Sequence, residues 1–151
     1  MHNQIRESNQ AKLAEDLNYS SIQIGQTAQF SRLITDDDIL QFANLTGDFN
    51  PLHVDHEYAS KTQFKDRVAH GMLIGSLFST LVGMHLPGKK SLYLSQSLNF
   101  IKPVRAGDEV MVSGEVVSKV DALQLLVLRT KVFNKAKEVL IDGEAKVKVL
   151  Q

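Results

Sequence analysis

The sequence contains no cysteine. Disulfides, thiolate nucleophiles and cysteine-ligated zinc are therefore excluded. It also lacks a surplus of charge: seventeen lysines and arginines balance seventeen aspartates and glutamates. With no net charge there is no global electrostatic pull toward nucleic acid or an anionic membrane. Two small basic groups, Lys89-Lys90 and Lys102 with Arg105, read first as solvated surface, with a bound phosphate as the alternative. No apolar run is long enough to cross a bilayer. The longest, residues 72–86, is interrupted by Gly75, Ser76, Ser79, Thr80, Gly83 and His85 and falls short of the ~20 residues required. The first twenty residues lack the apolar run of a signal peptide. The expectation is a soluble cytoplasmic protein without a nucleic-acid or membrane partner.

What is present is ordinary for one globular domain: 151 residues, 43% of them hydrophobic. Residues 1–20 are polar and read as a peripheral extension, in which residues 10–17 suggest a turn or two of helix. Residues 21–151 read as a single domain. Ile22 and Ile24 alternate ahead of Gly25 as a short strand, and residues 27–34 form a second extended piece. Thr35 followed by three aspartates is a helix start, with Ile39, Phe42 and Ala43 on one face and Gly47 as the stop. Asp55 caps a short turn holding Tyr58 and Ala59. Residues 72–86 are apolar on nearly every side, which predicts a helix buried almost all round and ended by Pro87-Gly88. Gly75, Ser79 and Gly83 line one side of it as a stripe of small residues. Four long strands follow, over residues 92–101, 110–120, 126–132 and 139–149, each with one apolar face. One apolar helix and several long one-sided strands predict an α+β fold, a curved antiparallel sheet wrapped around a central helix.

The densest polar cluster is Thr46-Gly47-Asp48-Phe49-Asn50-Pro51-Leu52-His53-Val54-Asp55. Asn50-Pro51 forces a turn that can aim Asp48 and His53 at one point. A carboxylate and an imidazole aimed at one water are the usual parts of general acid–base catalysis. Spacing alone fits a polar surface loop better, its aspartate capping a turn and its histidine incidental. Metal binding by His53, His56 and His70 is the weaker third reading, since no pair of them has metal-site spacing. Gly71 would open the apolar helix, where its N–H is an unpaired donor able to meet a developing oxyanion, or where the glycine serves only the turn. His70 reads as a packed histidine. Ser79, on an apolar helix, bonds back to its own backbone or orients a carboxylate. Gln96 and Asn99 interrupt an apolar strand, facing a polar cavity or lying at a strand edge.

Together these segments resemble the MaoC-like family of (R)-specific enoyl-CoA hydratases. The resemblance rests on Gly47-Asp48-Phe49-Asn50-Pro51-Leu52-His53-Val54-Asp55. It extends through His70-Gly71-Met72-Leu73, Ser76-Leu77-Phe78-Ser79, and Leu94-Ser95-Gln96-Ser97-Leu98-Asn99-Phe100 with Lys102-Pro103-Val104. It covers about residues 21–150 and is strongest toward the short, single-domain bacterial hydratases that feed polyhydroxyalkanoate synthesis. It implies a hot-dog fold and a homodimer. It implies that Asp48 and His53 activate water, that Asn50 holds the loop, that the Gly71 N–H binds the thioester carbonyl and that Ser79 orients Asp48. The substrate it implies is an enoyl-CoA or acyl-carrier-protein thioester, with no metal or other cofactor. A carrier-protein dehydratase, a thioesterase and a non-catalytic acyl-binding module are the competing readings.

Overall fold

Alternation of buried and more exposed positions builds the sheet. In the computed structural model, which describes residues 13–151, β4 (Glu109–Val120), β5 (Leu125–Phe133) and β6 (Val139–Val149) pair antiparallel, each with the next. Val110, Val112 and Val116, then Leu126, Leu128 and Val132, then Ile141, Ala145, Val147 and Val149 are all buried, while Lys146 and Lys148, between the last three, are exposed. β1 (Thr27–Leu33) pairs with β4 at one margin. β2 (Ser91–Gln96) and the two-residue β3 (Asn99–Phe100) pair with β6 at the other, giving the order β1-β4-β5-β6-β2.

The apolar segment lies across the buried face as α4 (Gly71–Thr80) and a π-helical turn, Leu81–His85. Ile74, Phe78 and Leu81 pack with Val110, Val112, Val132 and Ile141. Gly114 of β4 makes room for this helix, since a Cβ built there would stand 2.8 Å from Leu81 Cδ2. The expected single helix over residues 72–86 thus changes winding at Leu81, where the Leu86 N–H reaches back five residues to the Leu81 carbonyl. The architecture is α+β, a hot-dog fold in which an antiparallel sheet wraps a central helix.

Several expectations are corrected. Ile22 and Ile24 form no strand. A 3₁₀ turn (Tyr19–Ser21) precedes them, Ile22 is buried with Val82 and Leu86, and Ile24 is exposed. The strand over residues 92–101 breaks into β2 and β3, with a bulge at Leu94, and its apolar face is only partly buried by this chain: Leu98 packs against the core, while Leu92, Leu94 and Phe100 are exposed. The small-residue stripe does not act as one surface. Gly75 is pressed by Leu98, whereas a Cβ at Gly83 would meet nothing within 4 Å. Residues 10–12 of the expected N-terminal helical turn lie outside the described residues. Residues 13–17 are not helical: Ala14 is buried, and Glu15 bonds through its backbone to Met84 and Lys89.

α1 (Asp36–Thr46) leads into the polar loop and begins as expected. Thr35 Oγ1 accepts from the Asp38 N–H at 3.1 Å, and Asp38 Oδ2 accepts from the Thr35 N–H at 2.9 Å, a reciprocal capping box. Partial burial works against ionisation of Asp38, but the Thr35 bonds and the Arg32 guanidinium outweigh it and hold the carboxyl below its ordinary range. Its contribution to stability is therefore complete above the unfolded aspartate value of ~3.9 and lost as pH falls through the lower folded value. Thr35→Ala is expected to lower unfolding free energy by about 1 kcal/mol in urea titrations near neutral pH, with a smaller difference at pH values low enough to protonate Asp38.

Candidate active site

The polar cluster is shaped by a chain of short-range bonds. α1 ends at Gly47, whose left-handed backbone (φ 80°) turns the chain outward. The Asp48 N–H bonds to Thr46 Oγ1 at 3.2 Å, and Asp48 Oδ1 accepts from the Asn50 N–H at 3.1 Å. Asn50 Oδ1 then caps α2 (Pro51–Val54), accepting from the Leu52 N–H at 3.0 Å, with Pro51 at the first helical position. α3 (His56–Ser60) follows, capped by Asp55 as expected. The Asn50-Pro51 turn places His53 one helical turn on, facing back across the loop.

His53 is oriented by a group invisible to sequence motifs, the Val68 carbonyl, which lies 2.7 Å from its Nδ1. A carbonyl only accepts, so Nδ1 carries the proton and Nε2 presents its lone pair. Asp48, His53 and His70 each bring a ligand-type atom within 4.8 Å of the others. Asp48 is half exposed, while His70 is only 2% exposed. Proximity would permit a metal ion here, but one nitrogen of each ring is already bonded to a backbone carbonyl, His53 to Val68 and His70 to Asp48. His56 is not part of the group; it bonds to Asp66 at 3.0 Å on the surface.

Gly71 is the first residue of α4, where backbone N–H groups have no partner within the helix. It borders the same cavity as His53, a largely apolar hollow of about 400 Å³ walled by Phe64, Val68, Ile74, Phe100, Val104 and Ile141. Why this residue is glycine has a second answer in the fold: a Cβ here would lie 2.8 Å from the Phe100 ring. Ser79 is not brought to the pair. It lies eight residues beyond Gly71, about 12 Å along the helix. It is exposed rather than buried, and it makes no hydrogen bond with Asp48 among the described residues. Gln96 and Asn99 take the strand-edge role, bonding to Thr130 and Asp142. Of the basic groups, Lys102 is paired with Glu138, Lys90 with Asp16, and Arg105 with the Phe64 carbonyl.

An imidazole and the residue that opens α4 thus border one apolar hollow, and a carboxylate stands beside that imidazole, on a wrapped-helix sheet. Residues 20–137 match the family model described as a MaoC like domain. The chain is a member of the MaoC-like family. It is 43% identical over 129 residues, 85% of this chain and 96% of the relative, to an (R)-specific enoyl-CoA hydratase from Aeromonas caviae. The solved structure of R-hydratase PhaJ1 from Pseudomonas aeruginosa matches with a TM-score of 0.86 at 39% identity, covering 91% of this chain and 88% of that one. A mitochondrial 3-hydroxyacyl-[acyl-carrier-protein] dehydratase from Arabidopsis thaliana is 36% identical over 82% of this chain and 75% of its own length. Within this MaoC-like chain, the residues whose roles were read from sequence separate into a converged set, Asp48, Asn50, His53 and Gly71, and an outlier, Ser79. His70 and the Val68 carbonyl join the set from the structure alone.

The two explanations for Gly71 make different predictions. Gly71→Ala is expected to lower both thermal stability and hydration activity. Adding Phe100→Ala, which removes the ring from an exposed position, should restore the thermal midpoint. Activity should stay low if the open backbone serves substrate, and return if Phe100 is the whole reason.

Proposed function

We propose that the protein is a hydro-lyase that adds water to trans-2-enoyl-CoA to give (R)-3-hydroxyacyl-CoA. The observation that carries this reading is the pairing of the Asp48 carboxylate with a His53 ring whose Nε2 lone pair is left free by the Nδ1–H bond to Val68. The β-carbon of an enoyl thioester is electrophilic because the carbonyl withdraws electrons. As the water oxygen bonds to that carbon, the alkene electrons move to the thioester oxygen as an enolate, which the Gly71 N–H at the positive end of α4 is placed to stabilise. His53 Nε2 takes the water proton, and Asp48 orients the water. Collapse of the enolate draws a proton to the α-carbon from the same pair on the same face, so the enzyme returns to its starting state and the elements of water are added without any metal or redox cofactor. The apolar hollow beside His53 and Gly71 offers room for the acyl chain.

The physiological thioester is the CoA form in this reading, supported by the A. caviae relative; the plant relative's carrier-protein activity is the same chemistry in reverse. Rates on CoA and carrier-protein thioesters of one acyl chain separate the two. Asp48→Asn and His53→Gln are each expected to lower turnover of crotonyl-CoA by at least ~10² while the circular dichroism spectrum is unchanged. Near-normal turnover in both would contradict the assignment.

We also propose a homodimer in the cytoplasm. Among the described residues β2 is a sheet margin with an unpaired edge and the exposed side chains Leu92 and Leu94, and Met72, Ser76 and Ser79 on α4 are exposed as well. Such an edge invites pairing, and a second copy satisfies it. The role that the family resemblance gives Ser79 falls to that second copy in this proposal, since Ser79 and Asp48 share no hydrogen bond among the described residues of one chain. Leu94→Glu is expected to give monomers in analytical ultracentrifugation and to lower hydration together with dimer content. A fully active monomer would overturn this placement.

A further inference from the structure

His70 sits under the reaction centre and has no assigned task. Its ring is buried and lies against His53 with centroids 3.9 Å apart and planes 31° apart. Phe42 of α1 covers it at 4.9 Å. Its Nε2 is 3.0 Å from the Asp48 carbonyl oxygen, an acceptor only, so Nε2 carries the proton and donates. The same nitrogen is 4.0 Å from Asp48 Oδ2. Its Nδ1 is buried with no hydrogen-bond partner among the described residues. As the residue preceding Gly71, His70 also caps α4 in position, though its side chain bonds to none of the helix N–H groups.

A purely structural filler would not be built this way. An unmet buried nitrogen destabilises the fold, and a phenylalanine ring would occupy similar space without one. What histidine adds to a flat ring is the Nε2–H donor, and that donor goes to the backbone of Asp48. One residue therefore touches the carboxylate turn through a hydrogen bond, the base through a ring face, and the oxyanion donor through the chain.

We propose that His70 is a positioning residue: its ring is the plate on which His53 rests and its Nε2–H holds the Asp48 turn, so that base, carboxylate and Gly71 N–H keep their separation during turnover. Because reacting groups lose rate steeply when displaced by about an ångström, its removal should act on the chemical step rather than on substrate binding. The inference rests on the hydratase reading.

The test begins with wild-type hydration of crotonyl-CoA. If the wild type does not hydrate it, the hydratase reading fails, whatever His70 does. With wild-type activity in hand, His70→Phe keeps a stacked ring and removes the donor. It is expected to lower kcat by between ~10-fold and ~10²-fold, with KM within about twofold and a thermal midpoint no lower than wild type. His70→Gln, which restores a donor without the ring, should recover part of kcat. A folded His70→Phe variant with wild-type kcat would overturn the proposal and leave the hydratase reading standing. Should that variant fail to fold, ¹⁵N NMR of the wild-type protein decides. His70 protonated on Nε2 and bare on Nδ1 supports the proposal, and the reverse tautomer overturns it.

Discussion

The hydrogen bond between His53 Nδ1 and the Val68 carbonyl ties the short helix α2 to a loop residue fifteen positions on, and the chemistry depends on it. Without that acceptor, His53 would be a histidine on a four-residue helix, free to choose its tautomer. With it, Nε2 is committed as the lone pair that faces the hollow. The acceptor is held in turn. The Val68 N–H bonds to the Leu52 carbonyl, and the next residue, Ala69, donates its N–H to the Val104 carbonyl at 2.7 Å. The loop before α4 is thereby clamped between the His53 helix and the segment leading into β4. The start of α4, and with it Gly71, is registered against the base by ordinary backbone bonds.

The fold serves this arrangement by giving α4 a firm seat. One face of the helix is buried on alternating valines, leucines and isoleucines of the sheet, so its N-terminus is carried by the best-packed part of the molecule. The reactive side chains are on loops and short helices capped by Thr35, Asn50 and Asp55. This is the usual division between rigid scaffold and functional loop. The opposite face of α4 and the β2 margin remain uncovered, and the exposed leucines there explain why one chain does not bury all the apolar surface that its strand pattern offers.

The elements with strong local signals were legible in the sequence. Alternation announced β4, β5 and β6, and the Thr35 capping box announced α1. The Asp48-to-His53 cluster was visible as a group, with Asn50 in its loop role. What was not legible depended on contacts distant in the chain or on backbone atoms. The Val68 carbonyl has no sequence signature. His70 looked like a packed histidine, and it is packed; only its position against His53 and Asp48 shows what else it touches. Leu92, Leu94 and Phe100 carry the pattern of a buried strand face yet are exposed, because periodicity reports that a face is apolar and not which molecule covers it. Ser79 is paired with Asp48 by motif; it makes no hydrogen bond with Asp48 among the described residues, and it lies eight residues of helix beyond the residue that opens the site.

The central claim is that this site adds water across an activated alkene with one stereochemical sense. Its most direct test is to incubate the wild-type protein with crotonyl-CoA in deuterium oxide and determine the configuration and labelling of the product. The expected product is 3-hydroxybutyryl-CoA of (R) configuration only, with one deuterium at the α-carbon on the face that receives the hydroxyl. An (S) product, or free CoA released with the alkene intact, would contradict it.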